Sequence, residues 1–260
     1  SIDYLVYAYL QQGDNTNAEI QYNIINERKA FYPMMLTAVM YPLTAIPARL
    51  ALENKNWDSA ANLELKVINI NWDQYPWEEA IHHFAVAMGA VNTNDFEKVE
   101  NEIEILKSLH QNLIAQNDKT KAIQIKQVDI QIKTAQAWLS FRKNDLENAL
   151  LLMDEAVAIE KTTSKHPVTP GDVLPAIELL GDMLLEMGQP KEALVAYEEN
   201  LKGSPNRFNG IYGAAVAAQQ SGDKEKATKY FQQLIMVSEN SKGERPELKE
   251  AKSFMEQNII

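Results

Sequence analysis

The 260-residue chain carries 25 Lys and Arg against 36 Asp and Glu, a formal net charge of −11, with 45% hydrophobic residues and no Cys. The charge argues against a nucleic-acid surface, which needs clustered cations facing phosphates, and the missing thiols exclude disulfides and thiolate metal sites. Ten Gly and ten Pro are few for this length, and Ala, Leu, Ile, Glu, Lys, Asn and Gln dominate, which is the composition of an all-α protein.

In chain order, "IDYLVYAYLQQGD" enters a helical pattern at once, and a start at Ser1 rather than Met reads as part of a longer protein. Tyr9, Gly13, Ala18 and Tyr22 mark a first helix-turn-helix unit. Pro33, Pro42 and Pro47 divide the stretch that follows, ahead of a second unit centred on "ALENKNWDSAANLEL" near Ala60. "QYPWEE" is a Pro-bearing connection, and "GAVNTNDFEKVENEIEIL" near Val99 completes a third unit; in the second and third units alike a Trp or Phe follows the turn and an Asp supplies an N-cap. "IAQNDKTKAIQIKQVDIQIKTAQAWLSF" reads as an extra helix between the third unit and a fourth, marked by Asn144, Ala149, Met153 and Ala156. A Pro-rich loop over residues 162–171 leads to a fifth unit with Leu180, Gly181, Leu184, Gly188, Ala193 and Tyr197. The sixth places Ala214, Ala215, Ala218, Gly222, Ala227 and Phe231 each 34 residues after its counterpart. A polar turn then precedes an amphipathic helix over 244–258 that caps the last unit.

The anchoring positions 18, 60, 99, 149, 193 and 227 are separated by 42, 39, 50, 44 and 34 residues. Small residues let helices approach closely, Gly or Asn turns the chain, and an aromatic fills the remaining gap. No single pair buries its apolar face without neighbours. The predicted fold is therefore an α-α superhelix, a solenoid of about six helix-turn-helix units plus a C-terminal capping helix, with three irregular pairs over 1–110 and the rest over 111–260. No run of about 18 apolar residues is present, so no membrane insertion is expected.

The last two units resemble the tetratricopeptide-repeat template, W-x2-L-G-x2-Y…A-x3-F…P. Across Glu160–Asp223, and in "DYLVYAYLQQGD", "AIPARLALENKNW" and "PWEEAIHHFAVAMGA", the chain resembles a bacterial family of such proteins, in which a segment of this kind forms the C-terminal part of a longer chain. The resemblance implies a right-handed superhelical fold and a bacterial origin, and it carries no catalytic residues over.

Repeat stacks bind along the concave wall built by the first helix of each pair. Projection of the repeat frame places Tyr4 and Tyr7, Arg49, Phe84 and Met88, Trp138 and Arg142, Glu178 and Asp182, and Asn209 and Tyr212 on that wall, in the first to sixth units respectively. Aromatic and Arg side chains there anchor a peptide by buried area and bidentate hydrogen bonds; the plainer role is packing between repeats beside a solvated Arg. Glu178 and Asp182 lie four apart on one helix face, a geometry that suits a basic side chain or a terminal amine; the plainer role is solubility and the helix dipole. His166 sits in "SKHPVTPGD", where Pro167 and Pro170 stiffen the backbone, either as a rigid element over the wall or as a structural connection. Adjacent His82 and His83 point about 100° apart on a helix, and without HExxH they do not read as a metal site. No G-x-S-x-G elbow, phosphate-cradling loop or Cys nucleophile occurs, so no catalytic residue, metal or cofactor is expected.

The leading reading is a noncatalytic scaffold whose groove holds a protein or peptide that is not acidic, with no nucleic-acid partner. A rival reading makes the chain a wall of a larger enzyme or metal-binding protein whose site lies upstream, faced by His166, Glu178 and Asp182. A third is assembly with further copies into a homo-oligomer. A Cys-free chain suits oxidising and reducing compartments alike, so localisation is left open.

Overall fold

The computed structural model describes residues 2–28, 37–65, 70–164, 172–242 and 245–258. Among these residues one turn recurs six times. Gly13, Lys55, Asn94, Asn144, Gly188 and Gly222 each adopt a left-handed backbone, with φ between +50° and +82°. The next residue, at 14, 56, 95, 145, 189 and 223, donates its N–H to the carbonyl five residues back at 2.8–2.9 Å. That six-to-one bond is the Schellman closure of a helix C-terminus. The donor residue then opens the following helix. Asp14, Asn56, Asp95, Asp145 and Asp223 each accept, through the side chain, the backbone N–H three residues on, so the second pair is capped by Asn56 and not by the expected Asp, Asp58 lying inside the helix. At the remaining turn Gln189 is followed by Pro190 in the first helical position, whose missing N–H needs no cap.

The turns join six helical pairs. They are α1 (Ile2–Gln11) with α2 (Asn15–Asn26), α3 (Thr37–Glu53) with α4 (Trp57–Ala61), and α5 (Pro76–Asn92) with α6 (Phe96–Ala115). They continue with α7 (Ala122–Arg142) and α8 (Leu146–Lys161), α9 (Ala176–Glu186) and α10 (Pro190–Gly203), and α11 (Phe208–Ser221) and α12 (Lys224–Val237). A thirteenth helix, α13 (Pro246–Asn258), follows, and no strand occurs among the described residues. Five residues past each left-handed position, Ala18, Ala60, Val99, Ala149, Ala193 and Ala227 are all fully buried. The anchors therefore sit at the predicted intervals because each is held at a constant offset from its turn.

Two compact units form, one from Ser1–Tyr4 with Tyr22–Ala176 and the other from Leu5–Gln21 with Ile177–Ile260. In the first, α3 and α4 pack on α5, α5 on α6 and α7, and α7 on α6 and α8; in the second, α10 packs on α11, α11 on α12 and α12 on α13. Helices thus meet their neighbours in chain order, as an all-α helical repeat requires. The contacts run through small residues. A Cβ at Gly89 would collide with the main chain of Ala60 and Ala61, and Gly181 and Gly213 leave room for the fully buried Tyr197 ring. Phe254 of α13 lies 4.6 Å from the Phe231 ring, centroid to centroid, so the predicted cap does cover the last pair. Among the described residues no helix is long and apolar enough to cross a membrane.

Two expectations need correcting. Pro42 and Pro47 do not divide the chain, because α3 runs through both. Each removes a helical hydrogen bond at a cost of roughly 3 kcal/mol. Burial of Met40, Tyr41, Leu43, Ile46 and Leu52 on the same helix offsets it, at about 1.5–3 kcal/mol for each large side chain. Nor is there an extra helix between the third and fourth pairs. The added length extends α6 to 20 residues and α7 to 21, and α7 is itself the first helix of the fourth pair. Pro33, His166, Pro167 and Pro170 lie outside the described residues.

Candidate functional site

The end of α7 gathers the most chemistry in the first unit. Trp138 and Arg142 are four residues apart and so share one face. The Arg142 guanidinium lies 5.2 Å from the Trp138 ring centroid and 5.1 Å from that of Phe141, and the two rings meet edge to face at 5.8 Å. Asn92, the last residue of α5, accepts from Arg142 Nη2 at 2.6 Å and donates to the Met88 carbonyl at 2.9 Å. The cation is therefore fixed by two rings and an amide, and it also sits favourably at a helix C-terminus. Trp138, Phe84 and Met88 are buried and offer no exposed wall of their own.

A feature not anticipated from the sequence runs up α7. Gln124 Oε1, Gln127 Oε1, Gln131 Oε1, Thr134 Oγ1 and Trp138 Nε1 are all shielded from solvent without a hydrogen-bond partner. At alternating spacings of three and four residues they occupy about 80° of the helix circumference. That spacing is the signal that would have found them, since polar residues recurring with a helical period define a polar seam. Only Gln127 is tied down through its other atom, Nε2, which donates to Asp172 Oδ1 at 3.0 Å.

Arg49 is fully buried instead of lining a wall. Its Nη2 donates to the Tyr41 hydroxyl at 3.0 Å and its Nη1 to the Asp172 carbonyl at 3.2 Å, while Asp3 Oδ1 lies 3.8 Å from its Nε. Burial raises the Asp3 carboxyl above its usual range, although the Arg49 charge pulls the other way. His83 of α5 bridges to α6: its Nδ1 is 2.5 Å from Glu102 Oε2, and its Nε2 is 3.8 Å from Glu79 Oε1. Burial alone would lower its pKa, but hydrogen bonds to the two carboxylates and their charges outweigh it and push it up to about 9. Neighbouring His82 is driven down to about 4 by burial and by the His83 charge, so at neutral pH one ring is charged and the other is not. Among the described residues no group of three or more His, Asp or Glu side chains is arranged to hold a metal ion. A groove of about 570 Å³ between α6, α7 and α8 has Ile103, Leu139 and Leu152 in its lining, together with Glu100, Glu104 and Lys107.

In the second unit the predicted carboxylates are already occupied. Glu178 is buried, not exposed, and takes Arg207 in a bidentate pair, Oε1 from Nη2 and Oε2 from Nε, both at 2.7 Å. Asn200 Nδ2 adds a third bond to Oε2 at 2.9 Å. The chain itself thus supplies the basic guest that this carboxylate was expected to attract. Asp182 accepts from the Tyr197 hydroxyl at 2.6 Å, and burial, reinforced by that carboxylate, raises the Tyr197 pKa well above its ordinary value. Asn209 Oδ1 accepts from Arg245 Nη2 at 3.0 Å, and the Tyr212 hydroxyl donates to Glu250 at 2.6 Å. Tyr7 is half-buried in this unit; Tyr4, in the first, is 48% exposed. No protein-family model and no curated protein matches the chain.

Proposed function

We propose that the chain is an interaction scaffold of the tetratricopeptide-repeat type, holding a peptide or partner protein against the first helices of its pairs. The observation that carries this reading is Arg142, half-buried, stacked on Trp138 and Phe141, and tethered by Asn92. A side chain ordered in advance avoids roughly 0.5–1.5 kcal/mol of ordering cost on association. Arg beside aromatic rings is also the residue combination on which binding energy concentrates. Elsewhere Glu178, Asp182, Asn209, Tyr212 and His83 fasten helix to helix, which suits a frame that presents a surface. The net charge of −11 favours a partner that is neutral or basic overall.

Affinity capture from a lysate at micromolar concentration, followed by titration of the captured peptide against Trp138 fluorescence, tests the reading. The expected result is a signal change absent from Trp138→Phe and an affinity about tenfold weaker for Arg142→Ala. Capture of nothing, or a partner indifferent to Arg142→Ala, overturns it.

A further inference from the structure

A second surface, in the unit formed by residues 5–21 and 177–260, already holds a ligand of recognisable chemistry: the chain's own first turn. Helix α11 starts at Phe208, and its N-cap, Arg207, makes no side-chain cap, since a guanidinium only donates and this one donates to Glu178. Gln11 supplies what is missing. Its Oε1 accepts the Phe208 N–H at 2.9 Å across a sequence separation of 197 residues. Two residues on, the left-handed Gly13 brings bare main chain onto the Phe208 ring; a Cβ there would stand 2.8 Å from Phe208 Cε2 and 3.4 Å from Leu248 Cδ1. The Arg245 guanidinium also lies on the Phe208 ring, 4.1 Å from its centroid, and is held by Asn209 Oδ1 at 3.0 Å and by Glu247 at 2.8 and 3.1 Å. Phe208, Leu248 and Arg245 are all buried beneath this arrangement.

These groups form a receptor that reads a turn: an uncapped helix N–H for an amide oxygen, and an aromatic face that admits only glycine two residues later. Every bond in it is noncovalent, so nothing in the receptor distinguishes its own turn from an identical one. We infer that the start of α11 and α13 is a docking site for a helix–Gln-x-Gly-Asp–helix hairpin, and that it accepts residues 5–21 of a second copy of this chain in exchange for its own. Each copy carries one turn and one receptor, so reciprocal exchange closes as a two-fold dimer with no site left over. In a single copy the tethered turn acts at an effective concentration of about millimolar, so exchange needs a concentrated protein or a weakened turn.

Two complementary full-length variants test this. Gly13→Val spoils the turn and keeps the receptor, whereas Phe208→Ala spoils the receptor and keeps the turn. Sedimentation velocity is expected to find each monomeric alone, and their equimolar mixture to contain a species of twice the monomer mass. If the mixture stays monomeric, the inference fails. Gly13→Ala and Leu248→Ala make a milder pair should either first variant lose its helical circular dichroism. A fluorescent peptide of residues 2–28 gives a second readout. It is expected to bind the Gly13 variant on the order of a hundredfold more tightly than the wild type, whose receptor is filled in cis. Equal binding to both, or binding that survives Phe208→Ala, overturns the assignment, and the latter would point to a different hairpin surface.

Discussion

Helix α7 in the first unit and helices α9 to α11 in the second both bury polar side chains, and they do so on opposite terms. Glu178 keeps a full charge away from water because Arg207 and Asn200 meet its two oxygens with three hydrogen bonds. The α7 seam carries no charge, yet five of its polar atoms meet nothing. The costlier group is thus the better accommodated one. Burial of a charge is tolerable where geometry supplies every partner, while an orphaned amide or hydroxyl costs about 1–3 kcal/mol with no return.

The sharpest way to break that comparison is to remove one half of the paired set. Arg207→Met is expected to cost about 3–5 kcal/mol in denaturant unfolding, since it strands Glu178 in the core. The double variant Arg207→Met/Glu178→Leu should recover much of that loss; if it does not, the pair contributes more than mutual compensation.

A smaller effect comes from the paired histidine of the first unit. The folded pKa of His83 is raised from 6.5 to about 9. Its contribution is therefore complete below about pH 6.5 and is lost as pH rises through about 9, a change on the order of 3 kcal/mol. His83→Gln should flatten the stability profile across that window, and an unchanged slope would show that the two carboxylates do not hold a proton there.

The smallest expected change sharpens the other side of the comparison. Thr134→Val removes an orphaned hydroxyl without changing shape and should raise stability by about 1 kcal/mol, read as a shift in the denaturation midpoint at constant m. Destabilisation instead would mean that the hydroxyl has a partner in solution, and the contrast between the two regions would weaken accordingly.

Much of the fold was legible because its punctuation is short-range. A left-handed residue, an N-cap one position later and a small residue four beyond that lie within six positions, so the helical pairs could be counted from spacing alone. Pro42 and Pro47 misled because helix breaking is a local tendency, while the burial that overrode it comes from helices elsewhere in the sequence. The surroundings of the candidate residues were only partly legible. Trp138 and Arg142 were placed together correctly, being four residues apart on one helix. Arg49 and Glu178 were placed on the correct helices but credited with the wrong surroundings, since their partners are Asp172, 123 residues away, and Arg207, 29 residues away.

Helix succession, turn type and the buried anchors follow from neighbouring residues, because backbone capping and helical periodicity act over one or two turns. Which polar groups end up paired, stranded or facing solvent was settled by packing between helices far apart in the chain. A repeat frame specifies the face on which a side chain lies, but not what the neighbouring helix brings to meet it.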